Sequence, residues 1–103
     1  MTRKVTYSPR AGRQLRSLYD WLSRAGVPER AEQFVAGILS ACEDLGLNPL
    51  IGVSRDDILP GLRTIGFRRR VTIAFVVLEK TVEIHGIYYG GRDFEALIHD
   101  DVD

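Results

Sequence analysis

The chain has little with which to build a covalently or metal-stapled structure. It carries one cysteine and two histidines in 103 residues, so no internal disulfide can form. Cys42 falls among the apolar positions of a helical pattern and reads as a buried, inert thiol, for which a cytoplasmic setting is expected. No apolar run approaches the ~20 residues needed to cross a bilayer. The opening MTRKVTYSPR lacks the apolar centre of a secretory signal. Zinc-ligand spacing, a phosphate-cradling glycine loop and a nucleophilic serine constellation are all missing, and YYGGR at Tyr88–Arg92 is too short to supply such a loop. Neither a metal nor a cofactor is therefore expected.

Net charge is also missing. Fourteen basic residues balance fourteen acidic ones, which at first argues against nucleic-acid binding. The distribution is uneven, however. Asp100, Asp101 and Asp103 make an acidic tail over about 99–103, while Arg3, Lys4, Arg10, Arg13 and Arg16 face only Asp20 across the first 22 residues. The only lysines are Lys4 and Lys80. The cations are thus mostly flat guanidinium forks, suited to carboxylates, phosphates and aromatic faces.

What is present fits one domain spanning residues 1–103. Lys4–Tyr7 predicts a short strand. Ser8-Pro9 then supplies a helix cap and a first-turn proline. Ala11, Leu15, Leu18, Leu22 and Ala25 recur at steps of four and three, placing them on one helical stripe that Gly26 ends. A second helix is predicted over Pro28–Leu45, with Ala31, Phe34, Ile38, Cys42 and Leu45 on its stripe. The short connection suits an antiparallel helical hairpin. Between Gly46 and Gly61 periodicity fails, and turn signals accumulate at Asn48-Pro49, Gly52 and Pro60-Gly61.

Three strands follow, over Leu62–Phe67, Arg70–Leu78 and Val82–Tyr89. The middle one is apolar on both faces, as an interior strand with cover on each side would be. Strict alternation along the last would put His85, Ile87 and Tyr89 on one face and Ile84 and Tyr88 on the other. Residues 92–98 add a short helix or an extended tail. The expected fold is α+β, a strand and a two-helix hairpin packed on a small antiparallel sheet. One sheet face then lacks a cover. A partner polypeptide is therefore inferred to cover it, docked in a groove or added to an edge strand; the alternative is that the 46–61 loop and the C-terminal tail fold over it.

Chemistry is harder to read. Cleaving RNA through its 2′-hydroxyl needs a base, an acid and stabilisation of the phosphorane charge. Arg63 and Arg70 suit the last role, and His85 or Tyr89 one of the others. A second proton-transfer group is not evident. His85 among apolar neighbours is equally a packed sheet histidine, Tyr88 and Tyr89 are equally strand-packing residues, and Arg68–Arg70 reads as a basic turn.

Taken together, the order of parts resembles the ParE branch of the RelE/ParE toxin superfamily. The similarity runs through Ser8-Pro9-Arg10-Ala11, Leu15–Leu18–Trp21–Leu22 and Ala31–Phe34–Ile38. It continues through Asn48-Pro49, Gly52, Pro60-Gly61-Leu62-Arg63 and Ile84…Tyr89-Gly90…Arg92-Asp93. The resemblance implies the toxin of a two-gene toxin–antitoxin module that inhibits DNA gyrase without an enzymatic activity of its own. It implies neutralisation by a small antitoxin in a hetero-oligomer. Target contact would fall to Arg63, Arg70, Tyr89 and Arg92, and antitoxin contact to Leu18, Leu22, Phe34 and Ile38. RelE-like relatives cut mRNA in the ribosome instead, which here would use Arg63, Arg70, His85 and Tyr89. The chain lacks the lysine-rich loop of such nucleases, which favours the gyrase branch. A non-toxic binding module of the same fold is the third reading. No membrane contact and no sequence-specific DNA contact by this chain are expected.

Overall fold

Ser8 ties the first helix to the last strand. Its Oγ accepts the Ala11 N–H at 3.0 Å and donates to the His85 carbonyl at 2.9 Å. The first bond satisfies a helix-start donor, and the second fixes where that start sits on the sheet. The computed structural model describes residues 2–90. Arg92, His99, the 92–98 segment and the acidic tail lie outside the described residues.

The elements are β1 (Lys4–Tyr7), α1 (Pro9–Ala25), α2 (Pro28–Asp44), β2 (Val53–Ser54), β3 (Leu62–Phe67), β4 (Val71–Val77) and β5 (Thr81–Tyr89). One five-stranded sheet has the order β1-β5-β4-β3-β2. The α+β architecture is as the sequence implies, with one difference: β1 pairs with β5 in parallel, Lys4 opposite Thr81 through Tyr7 opposite Ile84, so the sheet is mixed. No tight turn joins β1 to its partner, so nothing local imposes the antiparallel sense that β3, β4 and β5 take from their hairpins. Two-residue β2, paired with Arg63 and Thr64 of β3, is an element the sequence does not signal.

The main core lies between the hairpin and one sheet face. Leu18 from α1, with Ile38 and Cys42 from α2, packs on Val71, Ile73, Phe75, Val82, Ile84 and Ile87. Burial of each large apolar side chain contributes about 1.5–3 kcal/mol. α2 comes down close on β3 at Gly37, where a β-carbon would stand 2.8 Å from Phe67 Cζ.

Two expectations are corrected. First, the strict alternation along β5 fails. Phe75 pairs with Ile84 and the adjacent Ala74 with Gly86, leaving His85 as the extra residue of a β-bulge. The bulge resets the phase, so Ile84 joins Ile87 and Tyr89 on the helix side, while Tyr88 packs on the opposite side. Second, the other sheet face is partly sealed by the chain itself. Leu62, Ala74 and Tyr88 form a smaller core there, covered by Ile58 and Leu59 from the turn before β3. That turn is organised by Asp56, whose carboxylate accepts the Gly61 N–H at 2.8 Å. Arg55 pairs with Asp57 at 2.8 Å beside it.

Candidate functional site

The β3–β4 hairpin turn is built from arginines. Arg68 and Arg69 both have positive φ, 49° and 60°, and Arg70 N–H donates to the Phe67 carbonyl at 3.1 Å. With Phe67 paired to Val71 the connection is Arg68–Arg70, and its two successive positive-φ positions would normally take Asn or Gly, because a β-carbon there costs about 1–2 kcal/mol per residue. Arg68 recovers part of that cost by stacking. Its guanidinium carbon lies 5.1 Å from the Phe67 ring centre and 5.8 Å from that of Phe34. Each such contact is worth about 0.5–1 kcal/mol at an exposed site.

Beneath the turn the aromatic rings continue. Phe34 meets Phe67 edge-on at 5.6 Å and Tyr89 edge-on at 6.2 Å, and Tyr89 meets Trp21 at 5.4 Å. These rings come from α1, α2, β3 and β5. They converge because β5 ends where the hairpin begins, with Tyr89 opposite Val71. Beside them an open cleft of about 340 Å³ runs to the tip of the helical hairpin. Trp21, Leu22, Val27, Phe34 and Tyr89 supply its apolar wall, and Arg30 and Arg70 its charge. Trp21 and Val27 are about half exposed there, and several large apolar side chains elsewhere are at least as exposed, Leu47, Leu50 and Val53 among them.

The structure therefore splits the sequence-derived candidates. Arg70 and Tyr89 come together in this cleft, and so do Leu22 and Phe34. Leu18 and Ile38 point into the core, 7% and 0% exposed, and leave almost no surface for a partner. Arg63 is elsewhere. It pairs across the sheet with Phe75, four positions from the Val71 that faces Tyr89, which is about 13 Å along the strands. Its fork donates to the carbonyls of Leu50 at 2.8 Å and Ile51 at 3.1 Å, clasping the loop that leads into β2. His85 sits at the bulge, four residues before Tyr89. Arg63, Arg70, His85 and Tyr89 thus do not share one reaction centre. The sequence reading gave Trp21 only a place in the helix and missed Val27 and Arg30. The available signal was a tryptophan at the border of the first stripe, close to the hairpin's Gly26.

Two groups in the core, away from the cleft, have shifted titrations. Burial pushes the Cys42 thiol up to about 12, with the neighbouring Glu43 charge adding to it. Tyr7, beside both, is also raised, first by burial and then by Cys42 and Glu43. Both groups are held in their neutral, unreactive forms. Among the described residues no cluster of His, Cys, Asp or Glu is placed to hold a metal ion, and no helix is long and apolar enough to cross a membrane.

Comparison with known proteins agrees with the fold. A solved structure titled "Chromosomal ParDE TA system from P. aeruginosa" superposes with a TM-score of 0.75 at 24% identity, covering 86% of this chain and 97% of that one. No curated protein matches the chain. The model of the family "ParE toxin of type II toxin-antitoxin system, parDE" matches residues 5–94. That match takes in both helices, the described strands from Val5 onward and the cleft residues, and the chain belongs to the ParE toxin family of type II toxin–antitoxin systems.

Proposed function

We propose that the protein is a cytoplasmic toxin that inhibits DNA gyrase by binding it, and that a cognate antitoxin holds it inactive. The observation that carries this reading is the separation of Arg63 and His85 from the Arg70–Tyr89 cleft. Phosphodiester cleavage needs acid, base and charge stabilisation within hydrogen-bond reach of one phosphate. Inhibition by docking needs only a contact surface, and Arg70 and Tyr89 supply an exposed cation beside a half-buried ring. Arg92, outside the described residues, is assigned to target contact from the sequence alone. Arg63, whose fork holds the loop of residues 50–52, supplies a separate point of contact with the target in this reading.

Purified toxin assayed in gyrase supercoiling and in ribosome-dependent mRNA cleavage tests the proposal. Loss of supercoiling with intact mRNA is expected. Cleaved mRNA with normal supercoiling would overturn it and establish the ribonuclease reading. Silence in both, with the antitoxin still bound, would leave a non-toxic binding module.

A further inference from the structure

The chain leaves the sheet beside the cleft. Tyr89, the last residue of β5, lines the cleft, and the Gly90 N–H donates to the carbonyl of Arg70, another lining residue, at 2.8 Å. Thirteen residues follow Gly90, and the family match reaches only residue 94. The stretch beyond it, residues 95–103, reads EALIHDDVD, with four carboxylates, four apolar side chains and no lysine or arginine. The cleft is its complement. Arg30 and Arg70 line it and, among the described residues, no carboxylate does. Arg24 in the last turn of α1 and the exposed Arg68 and Arg69 of the turn add to the same positive field. Trp21 and Val27, about half exposed, offer apolar contact at its centre. Reach sets no obstacle. Leu97 lies eight residues past Tyr89, up to about 27 Å of extended chain, and the Trp21 ring centre is only 5.4 Å from that of Tyr89. A tether this short holds its segment near the cleft at an effective concentration of about a millimolar, so weak contacts suffice. A second copy seated cleft to cleft would instead set arginines against arginines across the two-fold axis. We infer that residues 95–103 fold back into the cleft, with Leu97 and Ile98 against Trp21 and Val27 and the carboxylates beside Arg30 and Arg70. The docked tail covers Arg70 and Tyr89 and so makes target contact self-limiting, a consequence that rests on the function proposed above, whereas the docking rests on the cleft and the tail alone.

Trp21 is the sole tryptophan of the chain and reports on the cleft directly. Acrylamide quenching of its emission is measured on the purified full chain, without any partner protein, and on three full-length variants. Asp100→Lys/Asp101→Lys/Asp103→Lys reverses the tail, Arg30→Glu/Arg70→Glu reverses the cleft, and the third variant combines both sets. Either reversal alone should raise the quenching constant at least about twofold, as a docked-to-open ratio of about ten falls to about one. The combination restores opposite charges with their signs exchanged and should return quenching most of the way to the wild-type value. Arg30 and Arg70 are exposed, so the fold should survive, and circular dichroism verifies it. A variant that exposed Trp21 by unfolding would not be mended by further substitutions elsewhere, so the combined variant separates docking from damage.

Equal quenching of the wild type and the tail reversal would overturn the inference, as would a combined variant quenched no less than the single reversals. Docking within one chain does not depend on concentration. Quenching of the wild type that falls as the protein is concentrated from about 1 to about 100 μM would assign the cleft to a second copy and overturn the inference equally. None of these measurements involves gyrase, so the gyrase reading can fail while the docked tail stands, and the tail can fail while the gyrase reading stands.

Discussion

The phenol ring of Tyr88 lies directly over the backbone of Gly86: a β-carbon at Gly86 would stand 2.6 Å from Tyr88 Oη and 2.7 Å from Cε2. Tyr88 is in turn 5% exposed, packed with Leu62 and Ala74 on the face that Ile58 and Leu59 cover. The bulge at His85 is what brings residues 86 and 88 onto this face.

Gly86→Ala should therefore displace the Tyr88 ring and loosen the smaller core. A loss of about 1–3 kcal/mol is expected, the usual cost of overpacking. Urea unfolding measures it. Gly86→Ala combined with Tyr88→Ala should lose less than the two single changes added, because the clash disappears with the ring.

The arginine turn yields a prediction of opposite sign. Arg69→Gly relieves a positive-φ residue and should stabilise the protein by about 1 kcal/mol. Arg68→Gly relieves the same kind of strain but gives up stacking on Phe34 and Phe67, so its gain should be smaller or absent. Thermal melts of the two variants decide the ordering.

Arg63 should prove structural in the first instance. Arg63→Ala gives the exposed Leu50 and Ile51 carbonyls back to water and should cost about 0.5–1.5 kcal/mol. Arg63→Lys should recover only part, because an ammonium cannot reproduce the planar two-nitrogen geometry. Hydrogen exchange in β2 and the adjoining part of β3 should quicken in both variants. If Arg63→Ala were as stable as the wild type, the clasp would carry no energy.

Alkali should unfold the protein through its buried thiol. Cys42 ordinarily ionises near 9.0 and in the folded chain only near about 12. The unfolded state then releases a proton that the folded state keeps. The stability associated with the neutral thiol is complete below pH 9 and is lost as pH rises from there towards 12, at up to about 1.4 kcal/mol per pH unit. Tyr7 is shifted in the same direction and adds to the fall above pH 10. Denaturant midpoints of Cys42→Ala measured from pH 8 to 11 should fall less steeply than those of the wild type.

Much of the fold was legible in the sequence because its signals are local. Ser8-Pro9 caps α1, and the steps of three and four that bury Ala11 and Leu18 also leave Leu22 at the edge of the core. Strand β3 falls on the same residues as its apolar pattern, while β4 begins at Val71 because Arg70 belongs to the turn. The His85 bulge was not legible, since it is defined by what Ala74 and Phe75 do on the neighbouring strand. Residues Val53–Ser54 form β2 only because β3 offers an edge and Arg63 holds the loop beside it.

The sequence by itself determined the helical hairpin, the antiparallel strands and their order, because capping, periodicity and turn chemistry act between residues a few positions apart. Only the tertiary structure decided which candidate residues meet. It sent Leu18 and Ile38 inward, gave Arg63 to a loop, and gathered Trp21, Phe34, Arg70 and Tyr89 at one end of the sheet. The reason is geometric. A helix stripe has a buried centre and an exposed border, and which residues lie at that border depends on where the helix crosses the strands beneath it.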